Sequence, residues 1–171
     1  SFGASIISKE ENERTSEFLF TRPISRKEVF MTKMLALFSI ISLSFLIQSL
    51  VALLMIIMVV NDPVNWNHLF EMHLNGYVLC LFFGAVGLIF SQTLKGIKNY
   101  MGPVVGVVMG TYFLHGIGSA VDDANWIAKL SPFHYLGVDE FHPLAIIVFT
   151  LAILLLTLAA LRIFDRKDIG A

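Results

Sequence analysis

The chain has 171 residues, 56% of them hydrophobic and 15% charged, with a formal net charge of −1 and a mean hydropathy of +0.75. Soluble domains run about 45–50% apolar and about 25% charged, so this composition excludes a disordered chain, a nucleic-acid module and a disulfide-stapled secreted domain. Cys80 is the only cysteine, which removes any disulfide framework and any Cys-based metal site. A polytopic membrane protein is the class that remains.

In chain order, residues 1–8 (SFGASIIS) are an apolar stub without an initiator Met. They read as the inner end of a further helix, so the chain is expected to be the C-terminal part of a longer protein. Residues 9–33 are polar and charged, interrupted by Phe18, Leu19 and Phe20. Glu10 stands four residues before Arg14, a supporting pair on a helix. Pro23 disfavours helical geometry at Arg22, so the chain is expected to break there. Ser25 and Glu28 form a capping box, which predicts a new helix starting at Arg26 and running into the membrane.

Four uncharged runs follow, at 34–60, 74–94, 100–121 and 144–161. Each is close to or beyond the roughly 20 residues that a helix needs to cross about 30 Å of hydrocarbon. The expected fold is an all-α polytopic bundle with four complete spans, its membrane domain covering 34–161 and a basic tail covering 162–171. Stretch 125–137 is expected as a short helix or a partly re-entrant element, because Ser131-Pro132 offers a helix start.

The basic residues orient the bundle. Eleven of the twelve Lys and Arg residues lie in residues 1–33, in the turn between the second and third runs, and in the tail. Only Lys129 lies in the two other connections. Cytoplasmic segments carry the excess of Lys and Arg, which puts residues 1–33 and the C-terminus inside.

No catalytic motif is present: neither G-x-x-x-x-G-K-[ST], H-E-x-x-H nor G-x-S-x-G occurs. The four runs contain no Asp or Glu, whereas proton- and ion-coupled carriers commonly bury a carboxylate there. An external energy source is therefore expected. Gly102, Gly106 and Gly110 repeat every four residues on one helix face, a small-residue surface suited to helix packing within the subunit or to a subunit contact. Gln48 is a polar side chain deep in the first run, suited to lining a pathway or bonding a neighbouring helix. The histidines His68, His73, His115, His134 and His142 all fall toward the outer side, where they read as interfacial residues or as a metal or pH-sensing site. Residues 9–33 read either as an interfacial connector or as a docking element for a cytoplasmic partner.

The string EENERTSEFLFTRPISRKEVFMTK resembles the first cytoplasmic loop of ABC transporter permeases of the type-2 exporter class, matching at Glu10, Glu11, Thr15, Leu19, Pro23, Ile24, Ser25, Arg26 and Lys33. LSPFHYL before the last run and RIFDRKDI after it resemble the family's outer segment and inner tail. One departure is Arg14, where the family usually has glycine. The resemblance implies a six-span subunit lacking its first span and most of its second here. It also implies a coupling helix within residues 10–26 that seats on a separate ATP-binding subunit. Leu19 would fill the groove, Glu13, Arg14 and Glu17 would contact its rim, and Pro23 and Ser25 would set the angle to the next helix. No cofactor is expected in this chain, with ATP and Mg on the partner subunit. A second permease copy, the lipid bilayer, no nucleic acid and a bacterial plasma membrane complete the expectation. The alternatives are a non-transporting sensor or scaffold subunit and a membrane-embedded metal-dependent enzyme using the outer histidines.

Overall fold

The computed structural model describes residues 26–60, 63–93, 101–137 and 141–166. These form α1 (Arg26–Val59), α2 (Trp66–Thr93), α3 (Met101–Ala120), a 3-10 turn (Asp122–Ala124), α4 (Asn125–Ala128), α5 (Pro132–Tyr135) and α6 (Pro143–Arg166). Among the described residues there is no strand, and α1, α2, α3 and α6 are long and apolar enough to cross a membrane.

α1 begins at Arg26 and continues unbroken for 34 residues. At 1.5 Å per residue it is about 51 Å long, so it extends well past a hydrocarbon layer of about 30 Å. Two of its hydroxyls turn back on the helix's own carbonyls. Thr32 Oγ1 donates to the Glu28 carbonyl at 2.8 Å and Ser42 Oγ to that of Phe38 at 2.8 Å.

α2 starts at Trp66, well ahead of the apolar run at 74. Asn65 is the reason. Its side-chain oxygen accepts from the His68 amide at 3.3 Å and its carbonyl accepts from the Leu69 amide at 3.0 Å. Helix nucleation depends on such capping and not on apolarity. Glu71, expected in a connection, is consequently one of α2's own residues. α6 likewise starts on Pro143 and continues past its apolar run to Arg166.

α2 is the hub: it packs on α1, on α3 and most extensively on α6. The most apolar 18-residue stretch of α2 is 33% buried, whereas that of α1 contains no buried residue. Leu43, Leu46, Leu54, Leu151 and Leu155 are all more than half exposed, as side chains facing lipid are. Lipid tails are as apolar as Leu, so close packing must hold these helices together where the hydrophobic effect cannot. At Gly84 a Cβ would come within 2.7 Å of Ile41 Cδ1, so the missing side chain is what lets α1 approach α2.

Candidate functional site

Two places in the bundle combine burial with polar or aromatic contacts between helices. The first is the end where α1 begins and α2 and α6 finish. Phe30, Leu37, Leu88, Ala160 and Phe164 form one buried cluster, flanked by Met34, Ile41, Ile89 and Leu161. Phe30 is fully buried, and its ring lies 5.5 Å from that of Phe164, tilted by 39°. Lys27 Nζ reaches Asp165 Oδ2 at 3.9 Å in an exposed pair, which adds little to the packing beneath it. Ser91 and Gln92 are buried at the same end of α2. Ser91 Oγ donates to the Leu88 carbonyl at 2.7 Å, and Gln92 Nε2 donates to Ser91 Oγ at 3.2 Å. The start of α1 is therefore clamped to the ends of two other helices.

The second place is the opposite end, where the segment between α3 and α6 folds back into the bundle. Ser131 is 1% exposed and caps α5: its Oγ accepts from the Phe133 amide at 3.2 Å and donates to the Thr111 carbonyl at 2.7 Å. Thr111 lies nine residues before the end of α3, which places α5 about 13 Å below that end. The short helix that Ser131-Pro132 suggested is thus formed, folded back along α3. Irregular backbone at such depth must be buried in protein with its polar groups paired. Asn75 on α2 meets that need, donating through Nδ2 to the Gly137 carbonyl at 3.0 Å. Phe133 wedges between α2 and α3, 5.6 Å from Phe83 and 5.5 Å from Tyr112. Gly118 permits the return of the chain, since a Cβ there would collide with the Ala128 backbone and lie 2.8 Å from its Cβ.

Of the residues singled out in the sequence, Glu10, Glu11, Glu13, Arg14, Thr15, Glu17, Leu19, Pro23 and Ser25 lie outside the described residues. Arg26 is the first residue of α1. Gly102, Gly106 and Gly110 are on α3, and no neighbouring atom lies within 4 Å of where a Cβ on any of them would stand. That face thus meets nothing from the described part of its own chain. Gln48 forms part of the wall of a cavity between α1, α2 and α3, beside Ser44 and Phe83.

The histidines sort differently in space than in sequence. His68 is exposed in the first turn of α2, and His73 Nδ1 pairs with the Leu69 carbonyl at 2.8 Å. His115, His134 and His142, remote in sequence, line one cavity. Among the described residues no group of three His, Cys, Asp or Glu side chains is placed to hold a metal ion. Sequence reasoning missed Asn75 and Gln92, although an amide side chain within an apolar run was the available signal. It also missed the bond of 2.7 Å between Ser42 Oγ and the Tyr77 hydroxyl, which joins α1 to α2.

Comparison with curated proteins and with solved structures gave no match. A family model described as ABC-2 family transporter protein matches residues 1–169, nearly the whole chain. With its four membrane-capable helices in an all-α bundle, this multi-pass chain belongs to the ABC-2 family of transporter permeases.

Proposed function

We propose that this chain forms the membrane part of an ATP-driven exporter and receives its drive through residues 10–26 from a separate ATP-binding subunit. The observation that carries this reading is the continuity of α1 from Arg26 and the clamp at its base. A displacement delivered just ahead of Arg26 enters a helix without a break, and a continuous helix moves as a rod. Phe30 and Leu37 bear on Leu88, Ala160 and Phe164, so α2 and α6 must follow. Close-packed interfaces transmit such shifts because they repack between discrete arrangements and do not deform smoothly.

ATP and Mg belong to the partner in this scheme, and the chain itself performs no catalysis. Glu13, Arg14 and Glu17 contact the rim of the partner's groove, and Leu19 fills it. A second permease copy docks on α3, whose Gly102, Gly106 and Gly110 face lets backbones approach closely. Residues 1–33 and the C-terminus face the cytoplasm of a bacterial cell, in keeping with the distribution of basic residues.

The test is purification of the full-length protein from native membranes and assay of any co-purifying ATPase. The reading expects a stoichiometric ATP-binding partner whose association or coupling is lost in Glu13→Lys or Arg26→Glu. Absence of such a partner in both mild detergent and lipid discs would sink it. A partner retained with unchanged coupling in both variants would remove residues 10–26 from the mechanism.

A further inference from the structure

The cavity beside α5 has a volume of about 840 Å³, within the usual range for ligand sites. Its wall has two chemically distinct halves. One half carries His115 and Ser119 from α3, His134 and Tyr135 from α5, and His142 just ahead of α6. The other is an apolar strip on α6, made by Leu144, Ala145, Val148 and Phe149. Leu144 is 76% and Val148 61% exposed, so this strip is open along its outer side.

Two features give the polar half a preference for negative charge. The rings of His115 and His134 lie 6.1 Å apart, and both gain a positive charge when the imidazoles are protonated. Two such charges repel each other unless an anion sits between them. Next, the first turn of α6, a 24-residue helix, forms part of the wall and presents the positive end of its dipole there. His115 Nδ1 is buried without a hydrogen-bond partner among the described residues, so the ring meets the cavity through its other edge. No Asp, Glu, Lys or Arg among the described residues lines the cavity, and Tyr135 is its only other titratable group. Asp139 and Glu140, nearby in sequence, lie outside the described residues. Among the described residues the three imidazoles do not form a metal-holding group.

We propose that this cavity binds an amphipathic anion, its phosphate or carboxylate head held by His115, His134 and His142 and its apolar tail laid along Leu144, Val148 and Phe149. His115 is five residues from the end of α3, about 7.5 Å below it. Protonation of these imidazoles strengthens the grip, so affinity rises toward acid pH. The proposal rests on the transporter reading only for the side of the membrane on which the cavity opens.

The test uses the full-length protein in phosphatidylcholine lipid discs, with any partners it retains. Fluorescent lysophosphatidylglycerol and lysophosphatidylcholine of identical tail serve as probes at pH 8 and pH 5.5. The anionic probe is expected to bind at least about fivefold tighter at the lower pH, the low end of ordinary coupling between sites. The zwitterionic probe is expected to show no such gain. His115→Gln with His134→Gln removes the gain, whereas His68→Gln, outside the cavity, keeps it. Val148→Trp, at an exposed position, weakens the anionic probe at both pH values by filling the tail strip. Equal affinity for the two probes at pH 5.5, or a gain that survives the double substitution, would overturn the proposal. So would the absence of saturable binding, or displacement of the probe by inorganic phosphate at comparable concentration, which would mark a small-anion site. None of these readouts involves ATP turnover, so they stand or fall apart from the ATPase experiment.

Discussion

Phe30→Ala isolates the clamp at the base of α1. The ring is fully buried among Leu37, Leu88, Ala160 and Phe164. In a water-soluble core this substitution costs about 3–5 kcal/mol, a sum of transfer and cavity terms. Phe30 stands between Lys27 and Lys33, ahead of the apolar run of α1, so a side chain released there meets water and the transfer term is kept. The cavity term stays as well. Loss of a ring of about 100 Å³, at about 24 cal/mol per Å³, gives about 2.4 kcal/mol. The tilted contact with Phe164 adds about 0.5–1.5 kcal/mol. The expected loss is thus about 3–5 kcal/mol, or less where Met34 and Ile41 collapse into the space. Reversible unfolding in mixed micelles of mild detergent and dodecyl sulfate measures it. Leu154→Ala is the control, since Leu154 is 57% exposed on α6 and its removal leaves no cavity inside the bundle. If the two substitutions differ by less than about 0.5 kcal/mol, the ordinary scatter of surface positions, α1 is not clamped and the proposed route of coupling fails with it.

Three further outcomes follow from the same geometry. Gly118→Val drives a side chain into Ala128 and should destabilise the chain by about 1–3 kcal/mol, whereas Gly110→Ala meets no atom within 4 Å and should leave monomer unfolding unchanged or improved by up to about 1 kcal/mol. Chemical cross-linking then reads Gly110→Leu, which should lower the yield of permease dimer if α3 is the contact. Ser131→Ala removes both the cap on Phe133 and the bond to the Thr111 carbonyl, with an expected cost of about 1–3 kcal/mol and faster hydrogen exchange of the α5 amides. Lys27→Gln should change stability by under about 1 kcal/mol, because the 3.9 Å pair with Asp165 is exposed and screened by water.

Much of the architecture was legible without coordinates. Apolar length alone identifies four spans, since no water in the bilayer can satisfy an exposed backbone and a helix satisfies it locally. Ser131-Pro132 predicted α5, because a cap is chemistry between residues two or three apart in the chain. The uncharged run that begins at 74 does not mark where α2 begins, since hydropathy registers which residues avoid water and not which ones start a helix. The single polar side chain of Asn65 decides that start.

What the sequence by itself determined is therefore the class, the number of spans, the distribution of charge and, through three motifs in order, the family. Tertiary structure alone decided which helix is central, which glycines are packed and which histidines meet. Gly118 and Gly110 are indistinguishable as letters on one helix, yet the first meets the Ala128 backbone and the second meets nothing. His68 and His73 are close in sequence and serve separate surroundings, while His115, His134 and His142 come from three elements to one cavity. The physical reason is the same in both cases. Local pattern reports interactions spanning a few residues, whereas the close approach of helices depends on how far α5 reaches back into the bundle. That depth is set by Ser131, Asn75 and Phe133 acting across the fold.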